Sequence, residues 1–204
     1  MRRPGLLGPG KRRRGITSTS IPARPVPGAR ARALVVYESM FGNTELIARA
    51  ITEGLAKVMD VELVEVGAAP PEVDEDITLL VVGGPTHAFG MSRASTRQVA
   101  ASEAPRVVST RIGIREWLFD AAPEPGRLAA AFDTKSMGHA MPGSAARRAR
   151  RQLQRLGYRC VVVPESFLVD GTKGPLRDGE LGRAERWGAS VAAATLDALT
   201  SSSG

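Results

Sequence analysis

From residue 33 onward, short apolar runs alternate with stretches in which apolar positions recur every three or four residues. Strands buried on both faces read as nearly continuous apolar runs, whereas a helix lying on a sheet shows a single apolar stripe. Strands are therefore predicted over 33–37, 61–66, 77–83, 127–132 and 159–163; the second alternates, as an edge strand does. A helix is predicted to start at Asn43 or Thr44, because Ile47, Ala50, Ile51, Gly54 and Val58 then share a face opposite Glu45, Arg49, Glu53 and Lys57. A later helix from about Ser144 turns Ala146, Ala149, Leu153 and Leu156 to the sheet and stops at Gly157. A last helix, 179–199, is predicted to bury Leu181, Ala184, Gly188, Val191 and Thr195. Residues 114–119 read as a short helix anchored by Trp117, while 93–111 is open between helical turns and loop. This alternation is the pattern of a parallel sheet covered by helices on both faces.

Charge changes the picture at one end only. The net charge is +7, yet residues 1–32 hold nine Arg and Lys and no acid, which leaves 19 basic against 21 acidic residues in the rest, a formal −2. The Pro- and Gly-punctuated tail is expected to be disordered and to give nucleic acid only nonspecific contacts. It lacks the apolar stretch of a secretory or twin-arginine signal; a transit peptide shares its composition, and a start codon assigned too far upstream is the plain alternative. Residues 33–199 suit one domain, with 200–204 a flexible end. No apolar run approaches the roughly 20 residues of a membrane span. Cys160, the single cysteine, reads as a small core residue in a reducing, cytoplasmic setting.

The candidate chemistry lies where the first strand ends in Glu38-Ser39-Met40-Phe41-Gly42-Asn43-Thr44 and opens into a helix. Such a turn aims unpaired N–H groups and the positive end of a helix dipole at one point, an anion site. Ser39, Asn43 and Thr44 add side-chain donors and Gly42 permits positive φ. A plain N-capped helix would use Asn43 and Thr44 in the same place. Gly5 to Lys11 spells the start of a P-loop, but Arg12 stands at the metal-binding position and no strand precedes it. No G-x-G-x-x-G follows the first strand, which removes the fingerprint of a dinucleotide fold.

The stretch Val35 to Glu45 resembles the phosphate loop of flavodoxin-like proteins, and Val82-Gly83-Gly84-Pro85-Thr86-His87-Ala88-Phe89-Gly90 resembles their second cofactor loop. The resemblance covers residues 33–199 and includes Val169 to Leu176 after the fifth strand, where the loop around Gly171 to Pro175 would wall a substrate site if the chain is an oxidoreductase. It implies a three-layer fold with five parallel strands in the order 2-1-3-4-5, and FMN bound by Ser39, Met40, Phe41, Gly42, Asn43 and Thr44, by Pro85 through Gly90, and by Asp133, Thr134 and Lys135. His87 and Phe89 are the candidates for the flavin ring, with Met137 and His139 as further neighbours; each has an ordinary loop role as its alternative. Phe41 stands where the family pattern has a Thr, so one hydroxyl is lost and backbone N–H groups carry more of the grip.

The implied role is an FMN-binding electron carrier serving a redox partner protein or a small-molecule acceptor. An FMN-dependent oxidoreductase of a quinone-like or porphyrin-like substrate, and a flavin-free regulatory or scaffold domain, are the alternatives. The near-neutral domain departs from the acidic surfaces that steer carriers to reductases. Two histidines and one cysteine offer no zinc set and no Cys–His pair. The acidic run Glu72, Asp74, Glu75 and Asp76 reads as a solvated turn. Arg147, Arg148, Arg150, Arg151 and Arg155 read as a solvated helix face or as a dock for an acidic redox partner.

Overall fold

In a computed structural model of the chain, residues 30–87, 90–103, 107–136 and 143–201 are described. The tail through residue 29, Ala88, Phe89, Met137 and His139 lie outside the described residues. The elements are β1 Arg32–Tyr37, α1 Asn43–Ala56, β2 Asp60–Glu65, β3 Ile77–Pro85, α2 Ala94–Glu103, α3 Ile114–Asp120, β4 Leu128–Ser136, α4 Ala145–Arg155, β5 Arg159–Cys160, β6 Glu165–Val169 and α5 Glu180–Thr200. Neighbouring strands run parallel in the order β2-β1-β3-β4-β5, and β6 pairs with β4 beyond β5. This is the order implied by the resemblance.

The fifth strand is split. An apolar run over 159–163 predicts one strand, but pairing stops after Cys160 and resumes where Glu165 meets Phe132. Pro164 has no N–H for the ladder, and Val163 turns outward, 69% exposed.

Each face of the sheet carries its own core. On one face Val35, Tyr37, Val81 and Phe132 meet Ile47, Ile51 and Leu55 of α1 and Ala184 and Val191 of α5. On the other, Val36, Leu80 and Ala131 meet Trp117 and Leu118 of α3 and Ala146, Ala149 and Leu153 of α4. Three layers result. The stripe rule fails only at helix ends: Val58 lies past the end of α1 and Leu181 in the first turn of α5, and they are 45% and 47% exposed.

Helices α1 and α5 pack closely because each presents a glycine to the other's backbone. A Cβ on Gly54 would stand 2.1 Å from the Glu185 carbonyl oxygen, and one on Gly188 would stand 2.3 Å from that of Ile51. No helix among the described residues is long and apolar enough to cross a membrane.

Candidate functional site

The loops that follow β1, β3, β4 and β6 surround one cleft of about 260 Å³ at the carboxyl end of the sheet. In open parallel sheets this is where ligands bind, at the point where strand order reverses. Here that point is the gap between β1 and β3.

The β1–α1 loop is held in place from behind. Ser39 N–H donates to the Ser109 hydroxyl (3.0 Å), whose own proton goes to the Glu65 carboxylate (2.5 Å). The carbonyls of Ser39 and Met40 accept from Ser109 N–H (2.8 Å) and Val108 N–H (3.1 Å). Ser39 Oγ accepts from Gly42 N–H (3.1 Å) and Glu45 N–H (3.4 Å), which leaves its own proton to be donated.

Gly42 caps α1 at φ +89°, a left-handed conformation, and a Cβ there would meet nothing within 4 Å. Neither Asn43 nor Thr44 plays the plain capping role: the N-cap residue is Gly42, which has no side chain to offer, and the first-turn N–H of Glu45 is met by Ser39 Oγ from outside the helix. The first intrahelical bond runs from Leu46 N–H to the Gly42 carbonyl, so the N–H groups of Asn43 and Thr44 have no helical acceptor. The Asn43 side chain instead reaches across the cleft mouth and donates to the Lys173 carbonyl (2.9 Å), while Lys173 Nζ lies 6.0 Å from the centroid of the Phe41 ring.

The opposite wall comes from β3 and β4. Thr44 and Thr134 share a hydroxyl–hydroxyl bond of 2.7 Å, which ties the two loops at the cleft floor. Thr86 N–H donates to the Thr134 carbonyl (2.8 Å), and His87 and Gly90 pair antiparallel through backbone bonds of 2.8 and 2.9 Å. His87 is half-buried and lines the cleft; burial, with the charge of Arg97 added, holds its pKa below the usual 6.5.

Two buried carboxylates stand behind these walls, each at a helix N-terminus, where the dipole favours negative charge. Glu38, 1% exposed, accepts from Ile114 N–H of α3 (2.9 Å) through one oxygen, and its other oxygen has no hydrogen-bond partner. Burial raises its pKa, against the pull of Ser92, the Ile114 N–H and Arg97. Asp133, 0% exposed, accepts through Oδ2 from Thr86 (2.9 Å), Ser144 (2.6 Å) and Ala146 N–H of α4 (3.0 Å). Ser144 also caps α4 by accepting from Arg147 N–H (3.0 Å).

Of the residues predicted from the sequence, Ser39, Met40, Phe41, Asn43, Thr44, Pro85, Thr86, His87, Thr134 and Lys135 line the cleft. Gly42 shapes its loop, Gly90 pairs with His87, and Asp133 faces α4 rather than the cleft. Val169, Gly171 and Thr172, in the stretch after the fifth strand that the resemblance includes, line it as well; Ser136 also lines it and has no mark in the sequence, and Ser109 supports it from 70 residues away. The loop around Gly171 to Pro175 is readable from the sequence as a wall, but without the split fifth strand its register is not.

No protein-family model matches the chain, and no curated protein matches it in sequence. Solved structures do match it in fold. A flavodoxin from the domain Archaea superposes with a TM-score of 0.56 at 22% identity, over 81% of this chain and 99% of that one. A Streptococcus pneumonia TIGR4 flavodoxin gives 0.58 at 17% identity, over 80% and 99%. A flavodoxin, WrbA-like protein from Agrobacterium tumefaciens gives 0.53 at 18% identity, over 82% and 98%. The chain has the flavodoxin-like fold.

Proposed function

We propose that the cleft binds FMN and that the protein is an electron-transfer flavoprotein. The observation that carries this reading is the donor set: the lining holds hydroxyls, an amide and the Lys135 ammonium, with no Asp or Glu among them. A cleft so composed at a helix N-terminus suits a phosphate dianion. Met40, Phe41, Pro85 and Val169 supply the apolar part that a flat ring system requires.

The residues divide the work accordingly. The N–H groups of Asn43 and Thr44, with the Ser39 hydroxyl, would hold the phosphate, and Gly42 gives the loop its left-handed turn. Phe41 replaces a hydroxyl in this loop without closing the cleft, which leaves the backbone to carry the grip. His87, uncharged at neutral pH, would stand beside the ring as a hydrogen-bonding neighbour rather than a cation. FMN, when bound, supplies the redox chemistry.

The test is the visible absorption spectrum of the purified protein, repeated after adding FMN and removing the excess. A flavin spectrum in a one-to-one ratio is expected. A colourless protein that retains none would leave the fold as a flavin-free scaffold. Anaerobic reaction with quinones and with reduced carriers would then separate an oxidoreductase from an electron carrier.

A further inference from the structure

Helix α4 carries Arg147, Arg148, Arg151 and Arg155 exposed, with no acidic residue along its length. Residues 147, 151 and 155 recur every four positions, so they form one row about 12 Å long. The row costs stability by itself. Arg147 and Arg148 sit in the first turn, at the positive end of the helix dipole, and like charges four apart repel. None of the ion pairs among the described residues involves Arg147, Arg151 or Arg155.

The row continues toward the cleft. The stem of Arg148 lies on Gly90, where a Cβ would stand 2.2 Å from Arg148 Cδ. Arg115 is pinned by the carbonyls of Met91 (2.7 Å) and Ser92 (2.8 Å), and its pKa is lowered by burial and by the charges of Arg93 and Arg148. Cations are thus brought together at Gly90, which is bonded through its backbone to the cleft-lining His87. The acidic run Glu72 to Asp76 precedes β3, at the other end of the sheet.

We propose that this face, Arg147, Arg151 and Arg155 with Arg148, Arg115 and Arg93 at its cleft end, docks the acidic surface of a one-electron carrier protein. The proposal rests on the reading that FMN fills the cleft. A row of two helical turns is too long for one small anion, and its position beside the cleft wall brings a docked carrier within short range of the flavin. Charge complementarity of this kind sets the encounter rate and selects the partner.

The probe is a plant-type [2Fe–2S] ferredoxin, an acidic carrier, used with the full chain. Calorimetric titration with the oxidised probe gives affinity whether or not flavin is present; stopped-flow reduction by the reduced probe, one electron per encounter, gives the rate. The variant Arg147→Glu/Arg151→Glu/Arg155→Glu is expected to lose at least about tenfold in affinity and in rate at low salt. Its flavin content should be unchanged, and a Glu in the first turn of α4 suits the dipole. Reversing Arg12, Arg13 and Arg14 to Glu in the tail should change little. The proposal is overturned if the α4 variant binds the probe as the parent does, if the tail variant loses as much, or if basic cytochrome c binds more tightly than ferredoxin. Tighter binding of a DNA duplex through the same arginines would assign the face to nucleic acid instead. A protein without flavin that still binds ferredoxin through α4 refutes the cofactor reading and keeps the dock.

Discussion

The Asn43 side chain donates to the Lys173 carbonyl at 2.9 Å, joining the first residue of α1 to the loop after β6. Gly174 packs against the same side chain, where a Cβ would stand 2.6 Å from Asn43 Nδ2. One exposed hydrogen bond of this kind contributes about 1 kcal/mol. Asn43→Ala should therefore lower the unfolding transition by roughly 2–4 °C and weaken FMN binding, read by quenching of flavin fluorescence, by at most about fivefold. Equal affinity in the variant would show that the loop after β6 closes without this tie.

Gly42 separates two effects that a substitution there combines. Its φ of +89° disfavours a side chain, by roughly 1–2 kcal/mol for most residues, yet a Cβ would meet nothing within 4 Å. Gly42→Asn, which tolerates this backbone, should fold and keep most of its FMN affinity. Gly42→Asp should also fold and lose FMN binding, because a carboxylate faces the phosphate. Equal affinities for the two variants would move the phosphate away from this loop.

Glu38 and His87 give stability opposite dependences on pH. Burial raises the pKa of Glu38, so the folded chain holds this proton to higher pH than the unfolded chain, and stability from this group is lost as pH rises from about 4.5 through the raised value. Glu38→Gln keeps an acceptor for Ile114 N–H and removes the titration. Its stability relative to the parent should rise between pH 4.5 and neutral in urea titrations; a constant difference would mean that Glu38 ionises as it does in the unfolded chain.

For His87 the sign reverses. Burial and Arg97 lower its pKa, so the unfolded chain takes up a proton near 6.5 before the folded chain does. Stability present above that value is lost as pH falls through the window below it. His87→Gln should lose less stability between pH 7.5 and pH 5 than the parent. In the FMN complex the effect of this residue on the reduction potential should begin below the ordinary histidine range, which potentiometric titration at pH 5 and pH 7 would detect.

The β1–α1 turn was legible because its chemistry is local: strand, glycine turn and helix are consecutive, and Ser39, Asn43 and Thr44 lie within it. Thr86 and His87 are marked only by the resemblance of Val82 to Gly90 to the family's second cofactor loop, since no helix opens directly after β3. Ser109 was not, since nothing in its own neighbourhood marks it and only folding brings it to Ser39 and Glu65. Asp133 is a cofactor contact only by the resemblance of Ala130 to Lys135 to the family's third loop; within β4, where it pairs with Gly84, its side chain accepts from the N-terminus of α4. The fifth strand was read as one run because an apolar pattern records burial and not the missing N–H of Pro164.

The close approach of α1 and α5 at Gly54 and Gly188 reaches further than packing. From Asn43 to Gly54 the helix runs about 16 Å, so the seat of its first turn is referenced to a contact on the far side of the molecule. A methyl group at either position tilts α1 and shifts the N–H groups at its tip while every residue of the cleft keeps its identity, so substitutions that empty the cleft will be found a helix length away from it.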